Sequence, residues 1–230
     1  MKKLLMVLVV VSLVLAMPAV KTVSTVSKAT ASTLKPGTAV KTPLNPKTID
    51  ICSVRRPFLL ENCESFEMYN ITVTFHNATI YNDSSKWASF SISDPEGYVY
   101  FMLREGQNYY FLPKTGKLLK LKLHQVINPN QVQVSYVWCP AMIYPRTVTV
   151  AAEDQVGTTH GGYGASVYLG QILPSLIPVY EYDYMYNWVG SEDVFEGSYT
   201  DFVANGYTYR FTYLNRVSPN TAKVQFVEYN

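Results

Sequence analysis

Charged residues are scarce in this 230-residue chain, and the charges that it has nearly cancel. Asp, Glu, Lys and Arg make up 16% of the residues, and the formal net charge is +2. Loss of the first nineteen residues would remove two lysines, which takes +2 to 0. A neutral chain lacks the basic surface that general nucleic-acid binding requires. We therefore expect no nucleic-acid partner.

The chain is also poor in the residue patterns on which hydrolytic enzymes depend. Three histidines are present, and only His160-Gly161-Gly162 is similar to the oxyanion loop of esterases. No Gly-x-Ser-x-Gly nucleophile motif accompanies this segment, and no alternation of predicted strands and helices surrounds it. We expect no enzymatic activity. A secreted hydrolase that uses two carboxylates is the third alternative, after the two non-enzymatic functions given below.

The N-terminus has the pattern of a secretory signal peptide. Two lysines precede the apolar residues 4–16, and Val14-Leu15-Ala16 fits a cleavage site made of small residues. The apolar run is shorter than the roughly 20 residues that a membrane-spanning helix needs. The sequence thus predicts a signal peptide over residues 1–19, a secreted or cell-surface protein, and no membrane span in the mature chain.

Residues 20–48 form a basic tail that is rich in Ser, Thr and Lys. The tail has five lysines, no acidic residue and no aromatic residue. Such a segment buries little apolar surface, so we expect it to be disordered on its own. It is either a flexible stalk or a donor segment that adds a strand to a neighbouring subunit, with residues 39–44 as the candidate strand.

Alternating apolar and polar residues predict strands through the rest of the chain, and no stretch has useful helical periodicity. Tyr, with 19 copies, also favours half-buried strands. Four short blocks recur in the same order, which indicates an internal duplication. The blocks pair residues 72–75 with 147–150, 88–92 with 165–169, 106–111 with 206–211, and 126–134 with 217–226.

The duplication predicts an all-β chain with two tandem immunoglobulin-like β-sandwich domains. Each copy has about 90 residues, close to the size of an immunoglobulin-like sandwich. We place the first domain at residues 49–140 and the second at residues 141–230, with the boundary near Pro140.

Acidic residues are concentrated in the second half. No Lys or Arg occurs between Arg146 and Arg210, whereas eight acidic residues do. This asymmetry favours head-to-tail attraction between the acidic half of one copy and the basic tail of another. Carboxylates on loops are also ligands for Ca²⁺, so a calcium site is one hypothesis and a solvated acidic face is the other. The candidate calcium ligands are Glu181, Asp183, Glu192, Asp193 and Glu196.

The three cysteines allow one disulfide in an exported protein. We favour Cys52–Cys63, which would close a short loop, and Cys139 is a rival partner for either cysteine. The first half also contains three sequons for N-glycosylation, of which the third is the best candidate. They begin at Asn70, Asn77 and Asn82.

A Pro- and Tyr-rich insertion lies in the second copy between Gly170 and Gly197. It is either a covered loop or strand pair, or a contact surface, because exposed Tyr and Trp mark binding patches. The candidate partner-binding residues are Tyr180, Tyr182, Tyr184, Tyr186 and Trp188.

The segment 103–111, Leu-Arg-Glu-Gly-Gln-Asn-Tyr-Tyr-Phe, is followed by a Val-rich hairpin. This motif resembles β-domains of archaeal surface-layer and extracellular-filament proteins, and the resemblance extends loosely over both copies. It implies a structural role on the cell surface but supplies no functional residues. We therefore expect an extracellular subunit that self-assembles into a filament, tube or surface layer. The alternative is a secreted module that binds carbohydrate, such as surface glycans, or protein through the Tyr-rich insertion.

Overall fold

The computed structural model describes residues 53–114, 118–139 and 147–229. Every regular element in these ranges is a β-strand, so the prediction of an all-β protein is confirmed. Within the same ranges there is no helix with the length and apolar character to cross a membrane. Contacts group Pro46–Asn230 into one compact unit. The predicted signal peptide and the basic tail lie outside the described residues.

The first half of the chain contributes eight strands. They are β1 Ser53–Glu61, β2 Ser65–Met68, β3 Ile71–Ile80, β4 Lys86–Asp94, β5 Gly97–Arg104, β6 Asn108–Phe111, β7 Leu118–Asn128 and β8 Gln131–Cys139. Strands β2, β3, β4 and β5 form a four-stranded antiparallel sheet. Strands β1, β8, β7 and β6, in that order, form half of an eight-stranded sheet.

The second half contributes eight more strands. They are β9 Thr147–Ala151, β10 Gln155–His160, β11 Tyr163–Leu169, β12 Leu176–Tyr182, β13 Trp188–Phe195, β14 Tyr199–Ala204, β15 Tyr207–Ser218 and β16 Thr221–Glu228. Strands β14, β15, β16 and β9 form the second four-stranded sheet, and β10 to β13 complete the eight-stranded one.

The second half repeats the connectivity of the first, strand for strand. In each half, the second to fifth strands form a meander, and the first strand pairs with the eighth in the order first, eighth, seventh, sixth. Equivalent turns make equivalent hydrogen bonds. The amide of Gly106 donates to the Leu123 carbonyl at 2.9 Å, and the amide of Gly197 donates to the Tyr213 carbonyl at 2.8 Å. Gly106 therefore corresponds to Gly197.

Only one of the four sequence blocks has the register of this structural repeat. Residues 126–134 and 217–226 both form the hairpin between the seventh and eighth strands. The proposed equivalence of Gly106 and Gly206 is wrong, because Gly206 lies one strand later, between β14 and β15. The other blocks pair β3 with β9 and β4 with β11, which are not equivalent either. Short runs of alternating Val and Thr suit many strands and cannot fix a register.

The strand order does not confirm the immunoglobulin-like topology. An immunoglobulin-like domain distributes its strands as A-B-E-D and C-F-G, whereas four consecutive strands stay in one sheet here. The two halves also share a sheet, because β6 pairs in parallel with β10, with Tyr109 opposite Gln155. The predicted domain boundary near Pro140 lies outside the described residues.

Each half packs its own apolar core between the eight-stranded sheet and one four-stranded sheet. The two cores lie on opposite faces of the shared sheet where the halves meet, as successive residues of β6 show. Tyr109 and Phe111 belong to the first core, while Tyr110 and the following Leu112 belong to the second. The central strands are thus buried on both faces, and the outermost strands are left at the two ends of the sheet.

Candidate functional site

Strand β13 ends the eight-stranded sheet and is the centre of the candidate site. It pairs only with β12 in that sheet, from Leu176 opposite Phe195 to Tyr182 opposite Trp188. No strand of the described residues pairs with its outer side. An edge strand of this kind presents unpaired N–H and C=O groups that can bond to an added strand. We call this strand and its outer side the β13 edge.

Large apolar side chains are exposed along the β13 edge and on the strand that follows it. Trp188 is 66% exposed and Phe195 is 56% exposed, at the two ends of β13. On β14, Tyr199 is 56% exposed and Val203 is 61% exposed. Large exposed apolar side chains grouped on and beside an open edge indicate a contact surface.

The β13 edge also carries acidic side chains that form no ion pair with a Lys or Arg of the described residues. Glu192 and Asp193 are exposed on β13, and Glu181 is buried beside them on β12. Burial, and then the negative charge of Glu192, raise the pKa of the Glu181 carboxyl, while a hydrogen bond with Thr200 opposes them. The ion pairs among the described residues include none of these three carboxylates.

The five predicted calcium ligands do not converge. In the described part of the chain, no three His, Cys, Asp or Glu side chains gather in a way that could hold a metal ion. Asp183 instead stabilises the loop between β12 and β13, where its Oδ1 accepts from the amides of Met185 and Asn187 at 2.9 Å. Glu196 accepts from the amide of Arg216 at 3.3 Å. The sequence predicted the charge of this region but not the separation of its carboxylates over two strands and two turns.

The predicted aromatic contact surface divides into two sets. Three of its tyrosines pack the β12–β13 loop against neighbouring parts of the chain. Tyr182 stacks on Tyr186 with ring centroids 4.3 Å apart, and the Tyr184 carbonyl accepts from the amide of Tyr100 at 2.7 Å. The remaining two, Tyr180 and Trp188, are exposed. The insertion is therefore partly a covered loop and partly a surface.

A cleft on strands β11 and β12 includes one tyrosine, Tyr168, that we did not predict as a binding residue. It encloses about 340 Å³ and is lined by Glu153, Tyr168, Gly170, Gln171, Tyr180 and Tyr182. Tyr168 on β11 lies opposite Tyr180, with ring centroids 5.8 Å apart. Glu153 has a left-handed backbone, with φ of 67°, and forms an ion pair with Arg104 at 3.9 Å. The volume of this cleft lies at the lower end of the roughly 300–1,000 Å³ that small-molecule sites have.

The opposite end of the eight-stranded sheet has a different edge. Strand β1 pairs with β8, but its register shifts between Arg55 and Phe58. Pro57 lies in this irregular stretch, and Arg55 and Arg56 are exposed. A bulge, a proline and charged residues are the features that block pairing at an edge. Strand β13 also has a register shift, between Trp188 and Gly190, and exposed charges, so the two ends of the sheet differ in the sign of their charge and in the proline of β1.

The cysteines do not pair as we favoured. Cys63 is an exposed free thiol, and Cys139 at the end of β8 is disulfide-bonded. The free thiol of Cys63 excludes the favoured Cys52–Cys63 disulfide, and the paired Cys139 agrees with the alternative in which Cys139 is a partner. Cys52 itself lies outside the described residues. Its neighbour Ser53 lies opposite Trp138, the neighbour of Cys139, so the β1–β8 register brings the two segments together.

All three sequon asparagines are exposed, and their glycosylation stays a prediction. Asn70 and Asn82 lie in turns, whereas Asn77 lies in β3 and its side-chain oxygen accepts from Ser89 Oγ at 2.6 Å. A glycan is attached to the side-chain nitrogen, so the hydrogen bond accepted by the Asn77 oxygen can persist, and the position of Asn77 within a strand is what distinguishes it from the two turn positions. The turn position of Asn82 remains the best candidate.

Comparisons with protein-family models, with curated proteins and with solved structures found no match.

Proposed function

We propose that this protein is an extracellular structural subunit that assembles with copies of itself into a filament, tube or surface layer. The location outside the cell rests on the predicted signal peptide. The resemblance of residues 103–111 to surface-layer and filament β-domains agrees with it. No enzymatic chemistry is needed for this role.

The observation that carries the proposal is the β13 edge. An open edge with exposed Trp188 and Phe195 is a template for pairing with another chain. The opposite edge, β1, contains Pro57, which lacks an amide donor and makes that edge a poorer acceptor. If this edge of one copy docks onto a different surface of the next, the contact is heterologous, and repeated copies produce open polymers unless the geometry closes into a ring.

The experiment is electron microscopy and light scattering of the secreted protein over a range of concentrations. Polymers or sheets should form with the unaltered chain. The double variant Trp188→Lys, Phe195→Lys should stay largely monomeric, because it places two positive charges on the contact surface. Val217→Lys is the matched control, since Val217 is an exposed apolar residue of β15 at 51% exposure. Monomers of the unaltered chain at every concentration would overturn the proposal.

A second candidate function is carbohydrate binding, and the tyrosine cleft favours it. Sugar rings stack on aromatic faces while their hydroxyl groups bond to amide and carboxylate side chains, and Tyr180, Gln171 and Glu153 offer these groups together. Calorimetric titration with neutral oligosaccharides tests it. Binding that disappears in Tyr180→Ala but persists in Tyr199→Ala would support this candidate, and no heat with any oligosaccharide would remove it.

A further inference from the structure

We infer that the β13 edge of one copy accepts the basic tail, residues 20–48, of another copy as an additional strand. This inference rests on the proposed assembly function and specifies the two surfaces that meet. The occupant is a segment of the same chain, and three features of the molecule select it: its point of attachment, its charge and its length.

The strand that the tail precedes in the chain, β1, lies at the opposite end of the sheet from β13. The tail precedes β1, which is the first strand in the sheet order, and β13 is the last. Seven spacings of about 4.8 Å separate these strands, or about 34 Å. A tail that leaves one end of a copy and binds at the other end of the next gives a head-to-tail contact. Such a contact is heterologous and can repeat indefinitely.

The charge of the tail complements the β13 edge. The tail has five lysines and no acidic residue. The edge presents Glu192 and Asp193, with Glu181 buried next to them, and no Lys or Arg of the described residues forms an ion pair with any of the three. Docking of the tail would supply the missing cations. Charge complementarity of this kind steers association and selects the partner.

The length of the tail allows it to reach another copy. Extended at about 3.3 Å per residue, it spans on the order of 90 Å. Leu44, at the end of the candidate strand 39–44, is nine positions before Ser53, and nine extended residues span about 30 Å. Pro43 in this stretch is acceptable on an added strand, because a strand at the edge needs hydrogen bonds on one side only. Main-chain hydrogen bonds to β13 would give the contact its direction.

Two other occupants are competing outcomes. The tail is long enough to fold back onto the β13 edge of its own copy, which would close the edge and prevent assembly. Strand β1 of another copy could also approach β13, although its irregular stretch at Pro57 opposes regular pairing. The experiment must therefore identify both the segment that binds and the copy from which it comes.

Cross-linking between two differently tagged copies identifies both. One copy, without its predicted signal peptide, carries Thr42→Cys and the other carries Ser191→Cys on exposed β13, each with Cys63→Ser to remove the free thiol. A disulfide should form between the two tags after mild oxidation. The control replaces Ser191→Cys by Glu67→Cys on the exposed edge strand β2 and should give little product. A third chain carries both Thr42→Cys and Ser191→Cys. If the control cross-links equally well, or if the third chain cross-links within itself while the two separate copies do not cross-link, the inference is overturned.

Binding of a peptide with residues 20–48 to the compact unit 46–230 measures the charge contribution. Glu192→Lys should lower the affinity for the peptide by up to about fivefold, which corresponds to the energy of an exposed ion pair. Glu67→Lys should change the affinity little. The affinity should fall as salt is added because exposed charges are screened. Equal affinity for both variants would contradict the inference.

Deletion of residues 20–45 separates this inference from the proposed function. Loss of polymers with an unchanged thermal transition is the expected result. Normal polymers from the truncated chain would refute the role of the tail but leave the assembly function intact. A full-length chain that never polymerises would refute the assembly function itself.

Discussion

Replacement of Asp154 by Ala tests how the two halves of the chain are joined. Asp154 lies in the turn between β9 and β10 and is 2% exposed. Its Oδ1 accepts from the amide of Asn108 at 3.0 Å and from the side-chain nitrogen of Asn108 at 2.8 Å, and its Oδ2 accepts from the amide of Ala151 at 2.9 Å. One carboxylate thus connects the start of β6, in the first half, to the second half.

The expected cost follows from these contacts. Asp154→Ala removes an acceptor from three N–H groups, and each buried polar group left without a partner costs about 1–3 kcal/mol. Water that enters the space would accept hydrogen bonds from some of these N–H groups. We therefore expect a loss of about 3 kcal/mol in the free energy of unfolding. Urea titration followed by tryptophan fluorescence measures this loss.

The duplication provides a matched control. Glu64 occupies the equivalent position in the first half, where its Oε2 accepts from the amide of Glu61 at 2.8 Å. This residue is exposed, and among the described residues its side chain makes no hydrogen bond to the second half. Glu64→Ala should cost less than about 1 kcal/mol. Equal losses for the two variants would refute the argument that Asp154 joins the halves.

The pH dependence of the same variant has a defined sign. Burial raises the pKa of Asp154 above its ordinary value of 3.8, although the hydrogen bonds from Ala151 and Asn108 lower it. When the pKa of a carboxyl is higher in the folded state than in the unfolded state, the group contributes most to the free energy of unfolding at pH values below its unfolded-state pKa. Part of that contribution is lost as the pH rises through the folded-state pKa. The penalty of Asp154→Ala should therefore be greater near pH 4 than at pH 7. A penalty that grows with pH would contradict this.

Three further predictions concern other parts of the fold. Cys139→Ser should destabilise the protein by about 2–4 kcal/mol because it removes a disulfide, while Cys63→Ser should be nearly neutral, as thermal melting will show. Gly157→Ala should lower the melting temperature by several degrees, since a Cβ would overlap the buried hydroxyl of Tyr109; an unchanged transition would mean that the ring has room to move. Burial lowers the pKa of His76, so the contribution of this residue to the free energy of unfolding should fall as the pH drops below 6.5. The variant His76→Gln should therefore show a flatter dependence of stability on pH between pH 5 and 7.

Alternation of residues along the chain predicted the strands but not their order. The segment Gln155–His160, Gln-Val-Gly-Thr-Thr-His, contains little apolar surface, yet it forms β10 and is almost wholly buried. It lies between β6 and β11 with a core on one face and β5 near the other. A polar sequence becomes buried here because Asp94, Met102 and Leu112 accept its hydrogen bonds. No local pattern carries that information.

The candidate site was predictable in its composition and not in its location. The excess of acid between Arg146 and Arg210 and the run of aromatic residues are visible in the sequence. Whether Glu192 and Trp188 face a neighbour or solvent depends on β13 being the last strand of the sheet, which no local pattern in the sequence determines. The disulfide of Cys139 could not be predicted for the same reason, because the position of Cys139 depends on the β1–β8 register.

Electron cryo-microscopy of the assembled protein, at a resolution that separates strands, tests the central claim most directly. The account predicts density for an additional strand hydrogen-bonded to the outer side of β13, continuous with the N-terminal end of β1 of a neighbouring copy. Polymers in which β13 faces solvent, or in which the additional strand belongs to the same copy, would contradict it.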